Sequence, residues 1–405
     1  MKQDWHKEVR DFMHFEPSQT LKNLPEQFFA KLTQKAARYV QQGYDVINLG
    51  QGNPDLPTPP HIVAALKKAA ENPLYHRYSP FKGHPFLKEA VAQFYEREYH
   101  VHLDPETEVA ILLGGKAGLV EVSQCLLNPG DVAFVPDPGY PDYWSGIALA
   151  GGEMVLMPLT AERCFLPDFS QLSPLHLKKA KLMFLNYPNN PTAAVAVQSL
   201  FEEAVALACQ HQICVVHDFA YGAIAYDGHQ PLSFLQIPGA KEVGIEIYTL
   251  SKTYNMAGWR IAFAVGNQSV IEAIELIQDH YHCSLFGAIQ EAAAVALLSS
   301  QECVDQLRET YQRRRDTFIS ALQDIGWDVQ PPQGSFFAWL PVPDGFDSAS
   351  FADLLLEESH IVVAPGIGFG PHGEGYVRAG LVSSEETLLK AAERIERLGL
   401  FTRMR

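Results

Sequence analysis

The sequence predicts an α/β protein: a large domain with a mostly parallel sheet between helices, plus a smaller α+β domain. Three observations carry that expectation. From about residue 109, short and nearly uninterrupted apolar runs alternate with helical patterns, as strands do when helices cover both faces of their sheet. The 405 residues exceed what one hydrophobic core usually supports. Beyond residue 325 the regular alternation gives way to a mixture of short strand-like runs and helices.

Taken in order, the expected strands of the sheet are 109–113, 132–135, 154–157, 182–185, 214–216 and 245–248. Helical patterns at 117–127 and 200–212 lie between them, and helical pattern dominates again over 269–325. An interdomain helix is expected to start near Ser284. The runs 334–339 and 361–363 read as strands of the smaller unit. The first forty or so residues read as an arm and one helix, 26–41, packing on the C-terminal section. The expected division is therefore 46–290 for the large domain, with 1–45 and 291–405 together forming the small one.

Bulk properties exclude several classes of function. Apolar residues make up 47% and charged residues 19%, as in a packed globular enzyme. A formal net charge of −16 argues against nucleic acid or an anionic membrane as the main partner. The opening residues, Met1 to Glu8, carry no apolar signal core, and the longest apolar stretches, such as 292–298, are too short to span a bilayer. A cytoplasmic protein is the expectation. The six cysteines (Cys125, Cys164, Cys209, Cys214, Cys283, Cys303) show no metal-ligand spacing and read as buried small hydrophobes in a reducing compartment. No metal is expected.

The chemistry concentrates where strands end, the place at which open α/β sheets bind ligands. After the run 245–248 come Thr249, Lys252 and Arg260. A lysine held at a strand mouth loses its proton easily, because desolvation and a neighbouring cation disfavour the ammonium, and the free amine can attack a carbonyl. That is the chemistry by which a protein holds pyridoxal phosphate, and Arg260 suits its phosphate bidentately. Gly114, Gly115, Lys116 and Ala117 form a glycine turn opening a helix, a place for a phosphate, although such turns are common without any ligand. Tyr140, in a proline-rich loop, could present a flat face to a ring, or simply anchor the loop. Asn190, before Pro191, should be held extended with its amide free to donate; a plain turn is the alternative.

Asp218 ends an apolar strand, where a carboxylate needs a cationic partner, and the protonated pyridine nitrogen of pyridoxal phosphate is one. Tyr221 would then reach the ring oxygen, and His217 reads as a packed neighbour. Arg378, in the apolar run 376–381, calls for an anion: a substrate carboxylate or a structural acid. The run Arg313-Arg314-Arg315 reads as a solvated helix face with no role.

In this order and spacing, Gly50-Gln51-Gly52-Asn53-Pro54-Asp55, Tyr78, Gly114-Gly115-Lys116, Tyr140, Asn190-Pro191-Thr192, Asp218 with Tyr221, Thr249 with Lys252, Arg260, Pro365-Gly366 and Arg378 together resemble the fold-type I pyridoxal-phosphate aminotransferases, over nearly the whole chain. The resemblance implies an aspartate-aminotransferase-like fold with pyridoxal 5'-phosphate carried on Lys252, which would also shuttle the proton between substrate Cα and cofactor C4′. It implies that Asp218 pairs with the ring nitrogen, that Tyr221 and Asn190 meet the ring oxygen, and that Tyr140 stacks on the ring. Gly115, Lys116, Ala117, Thr249 and Arg260 would bind the phosphate, joined by Tyr78 from a second subunit of a homodimer. Arg378, Asn190 and the Gly52 backbone would hold the substrate carboxylate. Two departures stand out: Thr249 where serine is usual, and Ala193 where the family has glycine, so this turn should avoid the glycine-only backbone region.

For the substrate, the neighbourhood 281–287 lacks the arginine by which the dicarboxylate-specific branch reads a distal acid. Lys116 leaves an opening for acidic recognition, since some relatives use a lysine there. Tyr281, Phe286, Phe336 and Phe337 would suit an apolar or thioether side chain. The segments 49–55, 143–146 and 335–341 look most like the bacillar methionine-salvage transaminases, which make methionine from 4-methylthio-2-oxobutanoate with glutamine as donor. The alternatives are an aspartate or aromatic aminotransferase and a C–S lyase of the same fold. A ligand-sensing regulator is disfavoured, since the chain has no room for a DNA-binding domain before residue 45 and is acidic overall.

Overall fold

The computed structural model of the chain describes residues 15–25 and 28–401. The first fourteen residues of the expected arm, and the expected helix start at Glu26, lie outside them. A seven-stranded sheet forms the centre, in the spatial order Val109–Leu112, Ala262–Gly266, Gly244–Thr249, Cys214–Asp218, Ala180–Asn186, Val132–Asp137, Glu153–Pro158. Ala262–Gly266 runs antiparallel to both neighbours, and every other pair is parallel.

The continuous apolar runs are explained by what covers each face. Alternate strand residues fall into two cores, as the period of two requires. Ala110, Leu112, Val135, Phe184, Val216 and Ile247 join Leu119, Val122, Tyr143 and Ile274 from the helices Gly115–Leu126, Asp142–Ala150 and Gln268–Tyr281. On the other face Val109, Ile111, Phe134, Met183, Leu185 and Val215 join Val91, Phe94, Phe201 and Ala292 from Pro85–Tyr99, Gln198–His211 and Gly287–Leu298.

A second core gathers around a three-stranded antiparallel sheet, Ala364–Pro365, Tyr376–Gly380 and Phe337–Pro341. The chain's two ends meet here: Ile47–Asn48 pairs in parallel with Ile361–Val362, and Ala36 of the helix Phe28–Gln41 packs on Leu356 and Val362. The expected division at 290/291 falls inside Gly287–Leu298, a helix whose Ala293, Ala296 and Leu297 belong to the core of the large sheet. Gln301 ends that helix by donating to the carbonyls of Ala296, Leu297 and Ser299. The next helix, Glu302–Asp324, has Val304 in the first core and Leu307, Tyr311 and Phe318 in the second. It, and not a helix from Ser284, bridges the two.

Two expectations about surfaces are corrected. Arg313 is solvated, but Arg314 and Arg315 are buried, each forked onto a carboxylate far away in sequence, Asp55 and Asp227. No cysteine is buried: Cys164, Cys209 and Cys283 are exposed and the others half-buried. Among the described residues, no helix is long and apolar enough to cross a membrane.

Candidate active site

The carboxyl ends of the parallel strands open into a cleft of about 270 Å³. It is lined by Gly52, Gly115, Lys116, Tyr140, Asn190, Asp218, Tyr221, Thr249, Lys252, Arg260 and Arg378. Every site residue expected from the sequence is thus brought to one place except Ala117 and Tyr78. Ala117 lies outside the lining, and its N–H is turned back onto the Gly114 carbonyl at 3.1 Å, closing the first helical turn. Tyr78 is 90% exposed and does not reach this cleft.

Lys252 sits on the one-turn helix Leu250–Thr253 that follows the strand Gly244–Thr249, with Thr249 as its N-cap. Its Nζ donates to the Gly52 carbonyl at 2.9 Å and lies 5.4 Å from the centre of the Phe336 ring. Burial first, then the positive charges of Arg378 and Arg260, lower its pKa to about 8, while Asp218 opposes them. A lysine in this state offers free amine near neutral pH.

Asp218 is buried at the end of its strand. Its Oδ2 accepts from the Tyr143 hydroxyl at 2.7 Å, and its backbone carbonyl accepts from Asn186 Nδ2 at 2.8 Å. Burial raises its pKa, and the Tyr143 hydrogen bond, the His217 ring and Lys252 only partly oppose that. A carboxylate held this way gains from a cation arriving in the cleft. The donor set therefore fits pyridoxal phosphate: an amine for its aldehyde, a carboxylate for its ring nitrogen, and a helix start for its phosphate. At that helix start Gly114 has φ +92°, and a Cβ there would collide with the Arg260 guanidinium, so glycine lets Arg260 lie across the turn. Arg260 donates to the Ala257 carbonyl at 2.9 Å and keeps further N–H groups for an anion.

Tyr143 was missed by the sequence reading. It is fully buried, stacked on Phe184 at 4.9 Å, and supplies the side-chain hydroxyl that holds Asp218. Its only signal is a position three residues after Tyr140, and nothing local shows that it points at a strand end 75 residues away. Phe337, named only as apolar surrounding, also lines the cleft; its ring lies 4.0 Å from the Arg378 guanidinium. A Cβ on Gly52 would come within 2.7 Å of the same ring, so glycine is needed where the loop crosses it. Tyr281 and Phe286 do not line this cleft and are well exposed.

Arg378 donates from Nη1 to Asn190 Oδ1 at 2.7 Å and from Nη2 to the Gly50 carbonyl at 3.0 Å. Both acceptors are neutral, and burial lowers the arginine's pKa to about 10. With its Oδ1 turned to Arg378, Asn190 keeps its Nδ2 for an oxygen in the cleft. Lys116 pairs with Asp142 at 2.9 Å, at the rim beside Tyr140. His217 is packed as expected, between Glu246 and the Tyr187 carbonyl.

The turn after Asn190 overturns one expectation. Ala193 does adopt φ +62°, the left-handed region that favours glycine. Tertiary bonds impose it: Ala193 N–H donates to Asn189, Asn189 N–H to Ala194, and Gly334 N–H to the Ala193 carbonyl.

The model of aminotransferase class I and II matches residues 44–395. The chain is 62% identical to the L-glutamine–4-(methylsulfanyl)-2-oxobutanoate aminotransferase of Bacillus subtilis, over 96% of this chain and 98% of that protein. It is 46% identical to an LL-diaminopimelate aminotransferase of Moorella thermoacetica, over 93% of this chain and 97% of that one. The apo structure of BacF from Bacillus subtilis superposes with a TM-score of 0.92 at 51% identity, covering 96% of this chain and 99% of that one. With strand ends, cleft and relatives in agreement, the chain belongs to the class I and II aminotransferases, enzymes that depend on pyridoxal phosphate.

Proposed function

We propose that this aminotransferase converts 4-(methylsulfanyl)-2-oxobutanoate to methionine with glutamine as amino donor, in two half-reactions of a ping-pong cycle. The relative at 62% identity carries this reading, because its name states that pair of substrates. The cleft is compatible with it. Phe337 and Leu119 offer apolar lining for a thioether, and Lys116 is already paired with Asp142 and so poorly placed to select a second acid.

When bound, pyridoxal phosphate supplies an aldehyde that takes up amines and a ring that withdraws electrons from the neighbouring carbon. The roles of this chain's residues follow from where they stand. Lys252 holds the cofactor and then moves a proton between substrate Cα and cofactor C4′. Asp218 keeps the ring nitrogen protonated, Tyr221 and Asn190 face the ring oxygen, and Tyr140 covers the ring. Gly115, Thr249 and Arg260 bind the phosphate. Arg378, with Asn190 beside it and the Gly52 backbone, takes the substrate carboxylate, which relieves the cost of a buried guanidinium. A homodimer would bring Tyr78 of one subunit to the phosphate site of the other. The exposed Tyr281 and Phe286 would serve the neighbouring cleft in the same way. Two domains, divided after Gly287–Leu298, would place the cleft between them.

A panel of 2-oxo acids against glutamine, glutamate, aspartate and aromatic donors tests the substrate pair. A clear preference for 4-(methylsulfanyl)-2-oxobutanoate with glutamine is expected, and a preference for oxaloacetate would overturn it. Lys252→Ala should lower transaminase turnover by about 10⁴-fold, the upper range for a lost acid–base group.

A further inference from the structure

The segment between Ile47–Asn48 and the helix Pro60–Ala69 forms one wall of the cleft yet has no regular secondary structure. Its position depends on a few bonds. The Gly50 carbonyl accepts from Arg378, the Gly52 carbonyl accepts from Lys252 Nζ, and Asp55 accepts from Arg314. The Lys252 bond is the one most open to change, because that nitrogen has to exchange partners during the reaction.

Arg314 is built as an anchor. It lies on the helix Glu302–Asp324, and its side chain is 6% exposed. Its two terminal nitrogens grip Asp55 as a fork, Nη1 to Oδ1 at 2.8 Å and Nη2 to Oδ2 at 2.7 Å. Nη1 also reaches the carbonyl of Leu381 at 3.3 Å, just past the strand Tyr376–Gly380 that carries Arg378. The guanidinium stands 5.5 Å from the Tyr311 ring, and Tyr311 packs in turn on Phe336, the ring beside Lys252 Nζ. One side chain therefore ties together the Gly52 loop and the exit of the Arg378 strand, and it touches the cleft at neither point.

We propose that Arg314, acting through Asp55, is a positioning residue that holds Gly50 and Gly52 against Arg378 while Lys252 changes partners, and so sets affinity for the substrate carboxylate. This rests on the assignment of Arg378 as the carboxylate site. The helix already spans both cores, so it is a rigid base for such an anchor. Arg314→Lys keeps the charge and loses the fork, so it should fall between wild type and Arg314→Met.

The test uses the holoenzyme and two readouts. In hydrogen–deuterium exchange, Arg314→Met and Asp55→Asn should speed exchange over residues 50–58 and leave the large sheet unchanged. In kinetics, each should raise KM for the amino acid about tenfold with kcat within about threefold, as expected for loosened ground-state and transition-state binding alike. The double variant should be no worse than the worse single one, because the two groups act as a unit. Unchanged exchange over 50–58, a fall in kcat without a rise in KM, or additive single effects would each overturn the proposal. Failure of the substrate assignment shows separately, in wild-type enzyme that ignores 4-(methylsulfanyl)-2-oxobutanoate; KM is then read with whichever amino acid wild type accepts.

Discussion

Two buried carboxylates on neighbouring strands have opposite surroundings. Glu246 stands opposite His217 in the register, and Asp218 stands opposite Ile247, so the two acids are one step apart and on opposite faces of the sheet. Glu246 accepts from the Tyr95 and Ser233 hydroxyls and the Phe234 N–H, and meets His217 Nδ1 at 2.9 Å. Asp218 has the Tyr143 hydroxyl as its side-chain donor, and burial pushes its pKa up. A buried acid whose hydrogen bonds are all made serves the fold. One held short of that by the same sheet is kept for a ligand, and the cleft is where local rules are broken.

The largest test of this contrast is Asp218→Asn. Turnover should fall by about 10³-fold, the loss seen when one fixed electrostatic partner of a transition state is removed. Apoprotein stability should be unchanged or higher. The sign follows from the raised pKa: a carboxyl that binds its proton more tightly when folded stabilises below its unfolded pKa of 3.8. That stability is lost as pH rises through the folded value, leaving a burden at neutral pH that asparagine removes. Glu246→Ala should do the reverse. It strands three donors and a histidine, for a loss of about 3–5 kcal/mol in urea unfolding. Turnover per folded molecule should survive. Equal loss of stability in both variants would erase the distinction.

What could be foreseen from sequence divides along the same line. Asp218, Lys252 and Arg378 are legible because each is a charge set in or at the end of an apolar strand, an inconsistency visible within a few residues. Tyr143, Arg314 and Arg315 were not, because their meaning lies in partners 75, 259 and 88 residues away. A polar helix carrying three successive arginines has the pattern of a solvated face, and only the fold shows which of them turn inward. The strands were legible to within a few residues for a simpler reason: helices on both faces make every position apolar. The break at Ser299-Ser300-Gln301 was not, since a glutamine that caps backwards leaves no periodic trace.

Lys252 sharpens the comparison by pH. Its lowered pKa means that apoprotein should capture pyridoxal phosphate faster as pH rises, with a midpoint near 8 in stopped-flow absorbance. The free amine fraction grows about tenfold from pH 7 to pH 9 and then levels. A rate still climbing steeply through pH 10 would mean an ordinary solvated lysine. For stability, the unfolded chain keeps this proton up to about 10.5. The penalty of the buried amine is therefore full below pH 8 and fades between 8 and 10.5.

The smallest effect concerns backbone strain on the cleft side. Ala193 is buried at φ +62°, a conformation that costs an L-residue about 1–2 kcal/mol. Replacing it with glycine relieves that cost, but frees the unfolded chain by about 0.4–1 kcal/mol. It also removes a buried methyl worth about 0.8 kcal/mol. These nearly cancel, so Ala193→Gly should change stability by less than about 1 kcal/mol. Ala264→Gly, in the centre of the sheet, has no strain to release and should show the full loss. Thermal unfolding of the two variants side by side measures the difference. If position 193 lost as much as position 264, the turn that sets Asn190 beside Arg378 would hold no strain. The cleft would then differ from the Glu246 side in its charges alone.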